Sequence, residues 1–147
     1  RMEVVKFLLT AGADVNATNE DGTTTLMHAS DAHRIEIVRL LLEAKAKINQ
    51  KNKDGLFALF FAVRNQSSAE IVQLLVAGGA DINAKNPAGD TALIEASRHC
   101  QTPVVEQLLA AKPDLQITNN KGRSAYFEAK EARCENIVKL LKAAGAR

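Results

Sequence analysis

Residues 21–29 read DGTTTLMHA, and the same frame returns as DGLFALFFA at 54–62, AGDTALIEA at 88–96 and KGRSAYFEA at 121–129. The glycines fall at Gly22, Gly55, Gly89 and Gly122, separated by 33, 34 and 33 residues. A period of this length marks stacked supersecondary units, each too small to bury its apolar side alone. The extra residue lies between Ala62 and Ile71 and lengthens a turn between helices.

A second block follows each echo: EIVRLLLEAKAKINQKN at 36–52, EIVQLLVAGGADINAKN at 70–86, PVVEQLLAAKPDLQITN at 103–119 and NIVKLLKAAGAR at 136–147, with EVVKFLLTAGADVNATN at 3–19 as the same block. Ile37, Val38, Leu41 and Leu42 recur at helical spacing, which predicts a helix buried along one stripe. The short block is also helical, since Leu26, Met27, Ala29 and Ser30 give a small, apolar face that lets two helices approach. Thr24, Thr91 and Ser124 supply cap oxygens before the first helix of a unit. Thr102 with Pro103, and the capping box Ser67-Ser68-Ala69-Glu70, mark starts of second helices. Between units, Asn19, Asn52, Asn86 and Asn119 each precede a glycine by three residues, which predicts projecting turns outside the core.

At 46% hydrophobic and 24% charged, the 147 residues have the balance of one soluble domain. The net charge of +2 comes from 19 basic and 17 acidic residues intermingled along the chain, leaving no broad basic field for nucleic acid or anionic membrane. No apolar run is long enough to cross a bilayer. Cys100 and Cys134 form no CxxC pair and are too few to staple a fold of this size, which points to a reducing, intracellular compartment, the cytoplasm first.

No P-loop, GxGxxG or HExxH stretch appears. His28, His33 and His99 fall at different places in different units, and His99-Cys100 supplies only two of the four ligands that structural zinc needs. The expectation is therefore no metal, no cofactor, no catalytic residues and no small-molecule substrate. Asn16-Ala17-Thr18 and Asn65-Gln66-Ser67 are chance matches to the glycosylation triplet in such a chain.

Gly12-Ala13-Asp14-Val15-Asn16-Ala17 and Gly79-Ala80-Asp81-Ile82-Asn83-Ala84 complete a pattern that resembles the ankyrin-repeat family, whose unit reads D-G-x-T-P-L-H-x-A-A, a helix with V-x-L-L, then G-A-D-V-N-A. The resemblance covers the whole chain. No unit keeps the proline or histidine of T-P-L-H, and Lys45-Ala46-Lys47 and Lys112-Pro113-Asp114 replace the glycine loop, as in a divergent natural member. The implied fold is an all-α repeat solenoid of helix-turn-helix pairs with β-hairpin-like turns, partial at 1–20, full at 21–53, 54–87 and 88–120, and capped at 121–147. Val4, Val5, Phe7 and Leu8 lack a first helix to share their burial, so further repeats are expected upstream. Lys142 replaces Leu9, Leu42, Val76 and Leu109, and Lys130 replaces Ser30, Val63 and Ser97, as a native C-terminal cap requires.

Column comparison then separates the phenylalanines. Phe60 aligns with Met27, Ile94 and Phe127 and reads as core. Phe61 aligns with His28, Glu95 and Glu128, and Leu56 with Thr23, Asp90 and Arg123, columns that read as exposed. Phe57 stands among the caps Thr24, Thr91 and Ser124. Either Phe57 and Phe61 fold back onto neighbouring units, or they anchor a partner, as aromatic residues at interfaces do. We take Leu56, Phe57 and Phe61 as the central anchor of a non-enzymatic, monomeric protein-interaction scaffold. The family resemblance implies that a protein or peptide partner meets the turn tips and the inner face of the first helices. Carried over, that surface is Glu20, Asp21, Thr23, His28 and Asp31; Lys53 and Arg64; Asp90, Glu95 and Arg98; and Lys121, Arg123, Glu128 and Glu131. One rival is a regulatory or targeting segment of a longer enzyme or channel. A weaker one is nucleic-acid binding through Phe57 and Phe61 with Lys51, Lys53 and Lys85, against which Asp21, Asp54 and Asp90 argue on the same edge.

Overall fold

The computed structural model describes residues 2–64 and 69–147. Among them are nine helices: α1 (Met2–Thr10), α2 (Thr25–Asp31), α3 (Ile35–Glu43), α4 (Ala58–Arg64), α5 (Ala69–Ala77), α6 (Ala92–Arg98), α7 (Thr102–Ala110), α8 (Ala125–Glu131) and α9 (Glu135–Ala143). The short helices α2, α4, α6 and α8 stack in one layer, the longer α1, α3, α5, α7 and α9 in a second, and each short helix also packs on the long helix that follows it. This is an all-α repeat solenoid, in which each unit relies on its neighbours for burial.

The caps start three of the short helices. The hydroxyls of Thr24, Thr91 and Ser124 accept from the backbone N–H of Met27, Ile94 and Phe127 at 3.2, 3.3 and 3.2 Å. Thr102 does not act as the cap expected of it. It is the first residue of α7, and Gln101 is the N-cap without a side-chain cap bond. The Gln101 amide instead donates to the Val63 carbonyl at 2.8 Å, tying two units together. The capping box at 67–70, the inserted residue and the Asn65 triplet fall on or across positions outside the described residues.

In the turns, asparagine and glycine divide the work. The side-chain oxygens of Asn19, Asn52 and Asn119 each accept two backbone N–H groups of their own turn at 2.9–3.0 Å, and Asn86 accepts that of Asp90. Positive φ falls on the glycines, +71 to +78° at Gly22, Gly55, Gly89 and Gly122, where a side chain would be strained. Antiparallel bridges Thr18–Thr24 and Thr118–Ser124 give two turns their hairpin character. Asn52 and Asn119 are buried, so the tips project but the roots belong to the core. Asn16, Asn49 and Asn83 bind the backbone N–H of Lys47, Asp81 and Asp114, each one unit further on, at 2.7–2.9 Å.

One apolar core runs through the stack, with Leu26, Leu41, Leu59, Leu75, Leu93, Leu108 and Leu141 fully buried. At one end, Val4, Phe7 and Leu8 of α1 are exposed. At the other, Lys130 and Lys142 face solvent. Phe127 departs from its column: Met27, Phe60 and Ile94 are buried, yet Phe127 is 42% exposed because no described unit stacks upon it. No helix among the described residues is long and apolar enough to cross a membrane.

Candidate partner-binding surface

Because α2, α4, α6 and α8 lie side by side, their inner faces form one strip. Arg64 reaches Asp31 of the preceding unit at 3.2 Å, and Arg98 reaches Glu128 of the following unit at 3.1 Å. The turn tips are tied likewise: the Lys53 N–H donates to the Asp21 carbonyl, and the Asn120 N–H to that of Ala88. Of the candidate residues, Glu20, Asp21, His28, Lys53, Arg64, Lys121 and Glu131 are exposed, and Asp31, Leu56, Glu95, Arg98 and Arg123 are half-buried.

Thr23, Phe57, Phe61, Asp90 and Glu128 are buried. The columns of Phe61 and Leu56 are thus not exposed throughout, and the expected surface anchor of Leu56, Phe57 and Phe61 is not presented. Phe57 is 1% exposed and meets Phe60 edge to face at 5.0 Å between ring centroids. Phe61 is 8% exposed and lies beneath the Arg64 guanidinium, 4.8 Å from its ring centroid. Leu56 packs partly buried against the same core. Phe57 and Phe61 fold back into the stack: burying each contributes about 1.5–3 kcal/mol, which at Phe57 offsets the missing cap.

Polar columns are buried where they are paired across units. Arg98 donates to both oxygens of Asp90 at 2.9 and 3.0 Å, to Glu95 at 2.8 Å and to Glu128 at 3.1 Å. Asn119 donates to Asp90 at 2.8 Å. Burial opposes charge on Asp90, but the hydrogen bonds from Arg98 and Asn119 outweigh it and hold the carboxyl below its ordinary range. The bond to Asp90 raises the pKa of Arg98 against desolvation, with Glu128 adding to the effect. His99 lies 3.2 Å from Glu95 on the same rim.

Across this seam the structure joins Cys100 to Cys134 as a disulfide, with Cα atoms 5.5 Å apart. The sequence reading gave the two cysteines no joint role and took their scarcity as a sign of a reducing compartment. The bond overturns the first point and removes support from the second. The missed signal was the spacing: 34 residues is one repeat plus one, which sets Cys134 one column beyond Cys100. No group of three or more metal-capable side chains gathers among the described residues.

No curated protein sequence matches the chain. The family model for ankyrin repeats in three copies matches residues 1–86 and, overlapping, 59–147. With helix pairs, Asn–Gly turns and this match extending from the first residue to the last, the chain belongs to the ankyrin-repeat family.

Proposed function

We propose that the protein is a non-enzymatic scaffold that holds another protein or peptide along the inner strip of α2, α4, α6 and α8 and the adjoining turn tips. Ankyrin repeats are generally protein–protein interaction modules. The supporting observation in this chain is that ion pairs crossing unit boundaries join side chains of separate repeats into one surface. Its contact residues are His28, Asp31, Arg64, Glu95, Arg98 and Glu131, with Glu20, Asp21, Lys53 and Lys121 at the tips. Both charge signs alternate along it, so the partner carries both signs and binds without steep salt dependence.

Affinity capture with the wild-type chain and with Lys53→Glu/Arg64→Ala/Glu131→Lys tests the reading. These positions are exposed, and Arg64→Ala removes only a surface ion pair and a ring contact, so the unfolding temperature falls by no more than a few degrees. Loss of a protein captured by the wild type supports the strip. An unchanged captured set overturns it.

A further inference from the structure

The end face formed by α8 and α9 differs chemically from the inner strip. Phe127 is 42% exposed and carries the Arg123 guanidinium 5.2 Å from its ring centroid. Tyr126 is half-buried, with Lys130 Nζ 5.6 Å from its ring. Phe127 and Lys130 are three residues apart on α8 and share a side. Lys130 also lines a shallow cavity with Arg133, Val138, Lys139 and a single carboxylate, Glu135.

Lys130, Arg133, Lys139 and Lys142 make no ion pair among the described residues. Solubility of an exposed end asks only for polar side chains of either sign. Here Lys130, Arg133 and Lys139 surround Val138 with Glu135 as the one carboxylate among them, an excess of cations over an apolar side chain, and Phe127 stands on the same side of α8 as Lys130. We propose that this end face docks an acidic protein segment bearing one aromatic or aliphatic side chain. That side chain seats against Phe127 and Val138, and the carboxylates meet Lys130, Arg133 and Lys139.

Two other occupants fit less well. A second copy stacking through α1 brings Val4, Phe7 and Leu8 but no acidic excess, since Glu3 lies beside Lys6 at 3.6 Å. A single-stranded nucleic acid needs a run of open ring faces for successive bases, and with Arg123 over one face of Phe127 and Lys130 over one face of the half-buried Tyr126 the end face offers no such run.

The test titrates the full chain with a short synthetic peptide of Glu and Asp around a single Phe, read by fluorescence anisotropy and by NMR shift mapping. Saturable binding with shifts confined to α8 and α9 is expected. Lys130→Glu/Lys139→Glu weakens it roughly tenfold or more and Phe127→Thr several-fold, while Lys53→Glu on the inner strip leaves it unchanged. Unfolding temperatures of the lysine variants match wild type, because those side chains are exposed, and Phe127→Thr, which loses the ring contact to Arg123, lowers it by no more than a few degrees. No saturable binding, equal affinity in the end-face variants, equal binding of the same peptide without its Phe, tighter binding of an oligouridylate, or self-association through this face in sedimentation each overturns the proposal. Because Lys53→Glu is silent here and Lys130→Glu/Lys139→Glu leaves the inner strip intact, failure of this proposal and failure of the inner-strip reading are separate results.

Discussion

Between α2 and α4, Asn52 donates to the Thr23 hydroxyl at 3.4 Å, and Phe61 packs beneath Arg64. Between α6 and α8, the equivalent Asn119 donates to the Asp90 carboxylate at 2.8 Å, and Glu128, in the column of Phe61, takes Arg98. The backbone arrangement is the same; the first seam is filled largely by apolar area and the second by satisfied charge. A charged seam yields less net stabilisation per pair, because desolvation offsets attraction. It is also the seam that the Cys100–Cys134 bond spans.

The comparison breaks most heavily at Phe57. Phe57→Ala empties a fully buried site in the apolar unit and is expected to cost about 3–5 kcal/mol, seen as a lower urea midpoint. A cost near that of a surface substitution refutes the packing described for this seam. Next comes reduction of the disulfide, which frees a 34-residue separation and is expected to cost about 2–4 kcal/mol in denaturation with and without reductant. Hydrogen exchange under reduction sharpens the contrast: faster exchange in α8 and α9, and none in α2 to α4.

The smallest effect, and the most selective, is Asp90→Asn, expected to cost about 1–3 kcal/mol at neutral pH through loss of a charge-assisted bond pair. The Asp90 carboxyl is held below its ordinary value in the folded state. Its contribution is therefore complete above the unfolded value of about 3.9 and is lost as pH falls through the lower folded value. Asp90→Asn flattens that acid limb of the stability profile, whereas Phe57→Ala leaves the limb in place and lowers the whole curve.

Helix placement was legible in the sequence because it rests on local chemistry: periodic apolar residues, the hydroxyls of Thr24, Thr91 and Ser124, and the Asn–Gly turns. Exposure was not legible, because a column of repeats reports polarity and burial depends on what lies across the seam. Asp90 and Glu128 read as surface residues until Arg98 is placed between them, 8 and 30 residues away in sequence. Phe57 and Phe61 read as outliers for the same reason, and Phe127 read as core because its column did not register that no described unit stacks upon it. Along the inner strip His28, Lys53, Arg64 and Glu131 face out, while Phe57, Phe61, Asp90 and Glu128 do not.

The bond from Arg98 to Glu128 joins one unit to the next, and that gives the array an order. A chain of near-identical modules can dock in the wrong sequence during folding, since every helix pair offers a similar apolar edge. Here, a unit carrying Phe61 set against α6 leaves Arg98 without Glu128. Glu128 set against α2 is carried into the stack with only Arg123 of its own unit, 4.0 Å away, in place of Arg98. Misordered assemblies thus bury a charge that has lost its best partner, and side chains that add little to stability act as an address that each module reads from its neighbour.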